Sequence, residues 1–392
     1  MNEYLFILGN TPDLAKAEIE VVLKREGICS EKIFSSPKIL HLKIEKEKKI
    51  SDLIKILGGT VKIAQVKSLA RNFKEAKRKI LALIGKKQVV FGLSAYGKFE
   101  LSDISYLNEC LKEELRLGGV KSRYVLPQSG TVLSSVVVTK QKVQEINIVD
   151  EKVKFVLAET VAIQDFADWG KRDFGRPCPD PRKGMLPPKV ARMMANISIS
   201  NDKFQMSNQF QMTNFKLLDP FCGVGTILME AMMVDASVLG SDISETMLNK
   251  TRKNLSWFRE NYPQLKSDFR LLKSDATHIS ENLHGQSVDA IVSEGYLGPA
   301  KLPDDRKKIE NIVNGLEKLY LGCLSDWKKI LKPDGRLVLC LPEYRTNQSL
   351  FSVKKPIDNC EKLGYTLLAG PFEYARPQAV VVRKIYILGI RR

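Results

Sequence analysis

The most specific chemical signal in the chain is the run Leu217-Leu218-Asp219-Pro220-Phe221-Cys222-Gly223-Val224-Gly225-Thr226. A strand-like apolar run ends there in a carboxylate and a glycine-containing turn, and the helical run ILMEAMM follows. Ligands of open α/β sheets bind outside the carboxyl ends of the strands, so this turn is where one belongs. Gly223 and Gly225 let backbone approach it closely. Dinucleotide sites carry GxGxxG here, with the pyrophosphate on the helix N-terminus. This chain has GxG alone, and Asp219 would repel a pyrophosphate. An acidic loop suits a ligand bearing an ammonium group, such as the methionine part of S-adenosylmethionine.

Two further strand ends carry acids in matching positions. Gly240-Ser241-Asp242-Ile243 places Asp242 23 residues after Asp219, where an acid accepts hydrogen bonds from ribose hydroxyls. Ile243 is expected to pack on the adenine face. Lys273-Ser274-Asp275-Ala276 closes the third strand, with Asp275 as an acceptor for the adenine amino group. Three acids at successive strand ends would read three parts of one nucleoside. Helix capping is the competing role for Asp242 and Asp275. Phe221, Thr226 and Ala276 flank these positions and complete the candidate cofactor contacts.

The elements that must position these residues read as an alternation. FKLLDP, SVLGSD, FRLLKSD, VDAIVSE and GRLVLCLP are strand runs, and helices of ten or more residues separate the early ones. Such a pattern predicts a doubly wound, mostly parallel sheet. YTLLAG and AVVVRKIYILGI add two strands whose short connection requires an antiparallel pair at one edge.

Upstream the texture differs. Residues 1–60 alternate strand and helix signals (YLFIL, a helix opened by Thr11-Pro12-Asp13, then ILHLKI) and read as a small α+β module. Residues 61–164 form a second such region, with strands expected over 89–97, 131–139 and 152–164 and helices over 72–84 and 103–117. Between 61 and 150 it holds 16 Lys/Arg against 8 Asp/Glu. Tyr96 and Tyr124 could line a nucleic-acid surface or lie in the core. Residues 165–189 form a basic Pro/Gly-rich arm, in which five prolines and three glycines between 170 and 189 argue against a regular element. Pro187-Pro188 opens the helix PPKVARMMANIS, and the polar stretch 201–214 is expected to be an exposed loop.

With 392 residues the chain is long enough for two or three domains, and 44% hydrophobic content suits a globular protein. No apolar run approaches a membrane span, and the start MNEYLFILGN lacks the basic flank of a signal peptide. Seven scattered cysteines and three histidines suggest neither a disulfide framework nor a metal site. A cytoplasmic, metal-free, monomeric protein is the expectation. The net charge of +17 favours a polyanionic partner.

DPFCGVGTILMEA resembles the first motif of class I amino-methyltransferases, specifically those that modify tRNA guanosine at the N2 amine. KRDFGRPCPDPRKGMLPPKVARMMANIS resembles the segment that leads into the cofactor domain of these enzymes and covers the cofactor, which brings Pro187 to the cofactor site. LFILGNTPDLAKAEI and FGLSAYG look like the family's ferredoxin-like module and THUMP RNA-binding domain. The resemblance implies four parts: a ferredoxin-like module (1–60), a THUMP domain (61–164), the linker arm (165–189) and a Rossmann-like domain with a mostly parallel seven-stranded sheet (190–392). It also implies S-adenosylmethionine as cofactor and tRNA as partner, with guanosine 10 as the target.

In this family the fourth strand ends in Asp/Asn-Pro-Pro-Tyr/Phe. The acid's oxygen and a backbone carbonyl accept the protons of an amine whose lone pair is delocalised into guanine, and the aromatic stacks on the flipped base. Here the strand ends Ser293-Glu294-Gly295-Tyr296-Leu297-Gly298-Pro299. Glu294 stands for the acid, Gly295 and Tyr296 replace the prolines, and Leu297 replaces the aromatic. Glu294 with the Ser293–Gly295 backbone is expected to hold the amine, and Tyr296 to stack. Three outcomes are open: a re-registered active loop, altered base or position specificity, or RNA binding without catalysis. Lys171, Arg172, Arg176, Arg182, Lys183 and Arg376 are the expected RNA contacts, and Arg383-Lys384 is either a phosphate contact or a protected strand edge. Methylation of DNA adenine or of a protein amide is the rival chemistry.

Overall fold

The computed structural model describes all residues except 1, 46–49, 85–88, 181–183, 200–214, 284, 300, 347–348, 377 and 392. Arg182, Lys183 and the loop expected over 201–214 lie outside the described residues. The chain divides into two compact units, Met1–Lys16 with Glu26–Ala167, and Ala17–Arg25 with Asp168–Arg392.

In the first unit eight strands form one sheet. They are β1 (Asn2–Leu8), β2 (Ser30–Ser35), β3 (Ile39–Ile44), β4 (Thr60–Ala70), β5 (Val89–Tyr96), β6 (Ser122–Val125), β7 (Gln144–Asp150) and β8 (Phe155–Ile163). Their order is β2-β3-β1-β4-β8-β7-β5-β6. Strand β5 runs parallel to β6 and β7, and the remaining pairs are antiparallel. Because β4 opens at Thr60 and pairs with β1, the expected boundary after residue 60 falls inside a continuous sheet. Four helices belong to this half of the chain: α1 (Pro12–Arg25), α2 (Phe73–Leu83), α3 (Leu101–Leu117) and α4 (Ser135–Lys140). The apolar faces of α2 and α3 bury Ile80, Ile104, Leu107 and Leu111 against Phe91, Leu93 and Ile146. Tyr96 is a core residue, while Tyr124 is half-buried beside Phe91. The strand expected over 131–139 is instead a turn leading into α4. There the Ser134 hydroxyl accepts from the Val137 N–H, and this cap outweighs the β preference of Val136–Val138.

After the first sheet come α5 (Phe166–Asp173) and α6 (Pro188–Ser198). Helix α5 reaches into the stretch where prolines and glycines argued against any element. It can do so because the first proline, Pro177, lies beyond its end. The sheet that follows contains β9 (Lys216–Asp219), β10 (Ser237–Asp242), β11 (Phe269–Lys273), β12 (Val288–Glu294), β13 (Leu331–Arg345), β14 (Leu350–Ser352), β15 (Tyr365–Tyr374) and β16 (Val381–Ile390). Helices α7 (Thr226–Met232), α8 (Glu245–Asn261), α9 (Arg306–Trp327) and α10 (Lys355–Asp358) are threaded between them. Strand order is β11-β10-β9-β12-β13-β16-β15, with β14 paired to β13. The strands from β11 to β13 are parallel, and β16 is antiparallel to both of its neighbours. The seven strands of this path are the expected sheet, with the antiparallel pair at the edge, and β14 is an eighth strand beside β13. Strand β12, the aromatic face of α9 (Tyr320, Trp327) and β13 share one core with Leu218 of β9.

Candidate functional site

From β9 the chain builds outward through β10 and β11, and from β12 it builds the other way through β13. The adjacent pair β9 and β12 is therefore the topological switch point, where the carboxyl ends of the strands leave a crevice. Asp219 ends one strand and Glu294 the other, and both line a cavity of about 580 Å³. Phe221, Gly223 and Thr226 contribute from the first loop, Asp242 and Ile243 from the end of β10, and Gly295 and Tyr296 from the end of β12. Asp180, Met185 and Leu186 of the arm also line it. Four acids and neither Lys nor Arg stand among its described lining residues. Such a wall repels a pyrophosphate and accepts a cationic, hydroxyl-rich ligand.

Gly225 caps α7 at φ 85°, and a Cβ added there would stand 2.9 Å from the Thr251 methyl. Both the left-handed backbone and the lack of room call for glycine. Helix α8 holds the turn: the Thr251 hydroxyl donates to the Gly223 carbonyl at 2.5 Å, and Asn254 Nδ2 donates to the Val224 carbonyl at 2.8 Å. Asn254 also clamps the arm, accepting from the Cys178 N–H at 2.9 Å and donating to its carbonyl at 3.1 Å. Asp242 accepts from the N–H groups of Gly223 (3.1 Å) and Ser244 (2.8 Å), so the second strand end is tied to the first loop. Asp219 Oδ1 accepts from the Phe221 N–H and the Ser293 hydroxyl, each at 3.1 Å. Burial pushes the Asp219 carboxyl up to about 8, and the nearby charges of Asp242 and Glu294 push the same way.

Glu294 is held from the protein side. The Arg383 Nε–H and the Leu186 N–H both donate to its carboxylate. Burial raises its pKa, and the Arg383 charge opposes that rise. Arg383 also donates to the Gly184 carbonyl and Arg376 to the Met185 carbonyl (2.9 Å), so the arm is fastened where it lines the cavity. The two positions directly after Glu294 hold no proline. Two buried phenols serve instead: the Tyr320 hydroxyl donates to the Tyr296 carbonyl at 3.0 Å, and the Tyr344 hydroxyl to the Leu297 carbonyl at 2.7 Å. Gly295 is needed because a Cβ would overlap the Tyr320 hydroxyl. The Tyr296 ring is left 55% exposed.

Most of the residues expected around the cofactor do meet in this cavity. Gly225 stands behind it, and the Ser293 side chain is spent on Asp219. Pro187 caps α6, directly after the lining residue Leu186. Asp275 and Ala276 do not line it. The Asp275 carboxylate accepts from the Thr277 N–H and hydroxyl, each at 2.8 Å, which closes a local turn and caps no helix, and the Ala276 carbonyl accepts from Trp327 Nε1.

Two of the cations expected to touch RNA are also corrected. Arg172 is buried, pairing with Glu230 at 2.8 Å and with Asp168 while stacking on Trp169. Arg176 is buried too, donating to the Thr226 hydroxyl at 2.7 Å and to the Met185 sulfur. Neither can reach a phosphate. Lys171 and Arg376 are exposed. Arg383 is neither a phosphate contact nor an edge guard, since it is 5% exposed on an inner strand. Its role beside Glu294, and those of Tyr320 and Tyr344, had no local signal beyond unusual residue types inside apolar runs.

A family model described as "Methyltransferase domain" matches residues 212–370. The tRNA (guanine(10)-N2)-dimethyltransferase of Methanothermobacter thermautotrophicus is 29% identical over 210 residues, 52% of this chain and 53% of that protein. A protein of Methanothermococcus thermolithotrophicus, named "Probable tRNA (guanine(10)-N2)-dimethyltransferase", is 32% identical over 125 residues, 31% of this chain and 67% of that relative. The chain belongs to the tRNA guanine-N2 methyltransferase family. It spans about half the length of its relatives from Methanothermobacter thermautotrophicus and Pyrococcus abyssi, 53% of each. The crystal structure of TrmN from Thermus thermophilus aligns over 99% of both chains with a TM-score of 0.57 at 15% identity. That likeness shows the fold, a Rossmann-like class I methyltransferase sheet following a separate α+β unit. Among the described residues no helix is long and apolar enough to cross a membrane, and no cluster of His, Cys, Asp or Glu could hold a metal.

Proposed function

We propose that this chain methylates the exocyclic N2 amine of a guanosine in tRNA, with position 10 as the target. The observation that carries this reading is the pairing of two strand-end acids across one crevice. Asp219 is set for a cationic ligand, and Glu294 faces it beside a pinned loop with an exposed aromatic. S-adenosylmethionine supplies a methyl group on a positively charged sulfur. Asp219 takes its ammonium group, Asp242 its ribose hydroxyls, and Ile243 packs on the adenine. Glu294 and the backbone around Gly295 accept the protons of the guanine amine, which returns its lone pair toward nitrogen for attack. As the nitrogen–carbon bond forms and the carbon–sulfur bond breaks, Glu294 receives the proton that the amine sheds. Tyr296 stacks on the base.

RNA is gripped by the first unit, read as the ferredoxin-like and THUMP modules sharing one sheet. Its exposed Lys67, Arg71, Lys74 and Arg78 serve the backbone, with Lys171 and Arg376 in the second unit. The test is incubation with labelled S-adenosylmethionine and unmodified tRNA, followed by mass spectrometry of the nucleosides. N2-methylguanosine or its dimethyl form is expected. N6-methyladenosine, or no product despite cofactor binding, refutes the reading.

A further inference from the structure

The Glu294 carboxylate is fastened from behind, and this restricts what it can accept in front. Arg383 and the Leu186 N–H occupy acceptor positions on the protein side, and Arg383 is itself locked on the Gly184 carbonyl. An ionised carboxylate has about four lone-pair directions, so those left over face the cavity that Glu294 lines. A carboxylate held this way meets a planar partner best through two parallel N–H donors side by side, the geometry that makes guanidinium pairs bidentate.

We propose that Glu294 determines base specificity by accepting two hydrogen bonds from guanine, one from N1–H and one from the N2 amine, and so rejects bases whose amine has no ring N–H beside it. This rests on the guanosine-N2 reading above and adds the means of selection. Guanine presents N1–H and N2–H₂ next to each other. Adenine and cytosine place a ring-nitrogen lone pair beside the amine, and that lone pair would face the carboxylate without a proton between them. No Lys or Arg among the described lining residues could supply the missing donor. Gly295 lets Tyr320 pack directly behind the strand end, so the Glu294 side chain is backed by Arg383 and Tyr320 with its free acceptor directions toward the cavity. Tyr296 stacks on one face of the base, which leaves the other face of the amine nitrogen for the incoming methyl group.

The experiment uses the full chain and three synthetic tRNAs that differ only at the nucleotide found modified in the product analysis. That nucleotide is guanosine, inosine or 2-aminopurine riboside. The last keeps the exocyclic amine in place but turns N1 into an acceptor. Wild-type protein should methylate the 2-aminopurine tRNA with kcat/KM at least about tenfold below the guanosine tRNA, the scale of one lost bidentate base contact. Inosine tRNA, which keeps N1–H and lacks the amine, should inhibit competitively. Glu294→Gln replaces one acceptor by a donor and should reverse the binding preference toward 2-aminopurine, read as tRNA Kd because this variant lacks the proton acceptor. Cofactor affinity measured on the variant checks that its site is folded. Equal use of guanosine and 2-aminopurine by the wild type overturns the proposal and leaves the guanosine-N2 reading standing. A cofactor-competent Glu294→Gln that keeps the guanosine preference also overturns it. Failure to methylate guanosine in any tRNA overturns both.

Discussion

Asp219 allows the cofactor site to be tested without any RNA. Burial beside Asp242 and Glu294 lifts its carboxyl to about 8, so in the ligand-free protein it is mostly protonated at neutral pH. An ammonium group prefers the ionised form, and binding must first remove that proton. With a pKa near 8, about 1% of Asp219 is ionised at pH 6 and about 24% at pH 7.5. Affinity for S-adenosylmethionine should therefore rise about 20-fold over that interval, with close to one proton released per molecule bound. An α-amino group has its own pKa at about 7.7–8.0, so at pH 7.5 its partial loss of charge trims the rise to about 15-fold. Isothermal titration calorimetry at four pH values, each in two buffers of different ionisation heat, reads both quantities. Asp219→Asn should bind more weakly at pH 7.5 and lose the pH dependence. Linkage adds an independent sign. The unfolded chain releases this proton near 3.8 and the folded chain holds it to about 8, so ligand-free stability should fall as pH rises between them. This group's share of that slope is up to about 1.4 kcal/mol per pH unit. A wild-type affinity flat within twofold from pH 6 to 7.5, or an identical slope in Asp219→Asn, would refute the assignment.

Two further substitutions separate loop support from core support. Tyr320→Phe removes the donor to the Tyr296 carbonyl while keeping the ring. It should cost about 1 kcal/mol in urea unfolding and lower kcat about tenfold or more, with cofactor affinity unchanged; unchanged kcat would mean that the loop holds itself. Glu230→Gln leaves the buried Arg172 and Arg192 guanidiniums without their shared carboxylate, now at 2.8 and 2.7 Å. A loss of about 3–5 kcal/mol in denaturant unfolding is expected, and a loss below 1 kcal/mol would show those arginines to be solvated rather than packed.

Much of the cofactor half was legible along the chain, because it is built from local signals. Each parallel strand is a short apolar run, each is followed by its turn, and the acid at its end stays in place whatever lies opposite. Asp219, Gly223, Gly225 and Asp242 could therefore be assigned from types and spacing, and the antiparallel edge pair followed from the short connection before Val381. The first unit was less legible. Short strands such as Ser122–Val125 carry no clear period, and the cap on Ser134 turned a β-branched run into a helix.

What only the tertiary structure decided is how charges meet across long separations in sequence. Arg172, Arg176, Arg182 and Lys183 look alike as members of one basic arm. Packing buries Arg172 against Glu230 and Arg176 against Thr226, while Lys171 stays in solvent. A buried guanidinium needs a fixed acceptor, and an exposed one does not, so the same residue type serves cohesion in one place and can serve RNA in another. Glu294 and Arg383 are 89 residues apart and meet because the antiparallel β16 returns along β13. The amino-acid sequence by itself determined that an acid would close the fourth strand. The return of the last strand decided that this acid is oriented by an arginine, and the packing of α9 and β13 that its loop is held by two tyrosines.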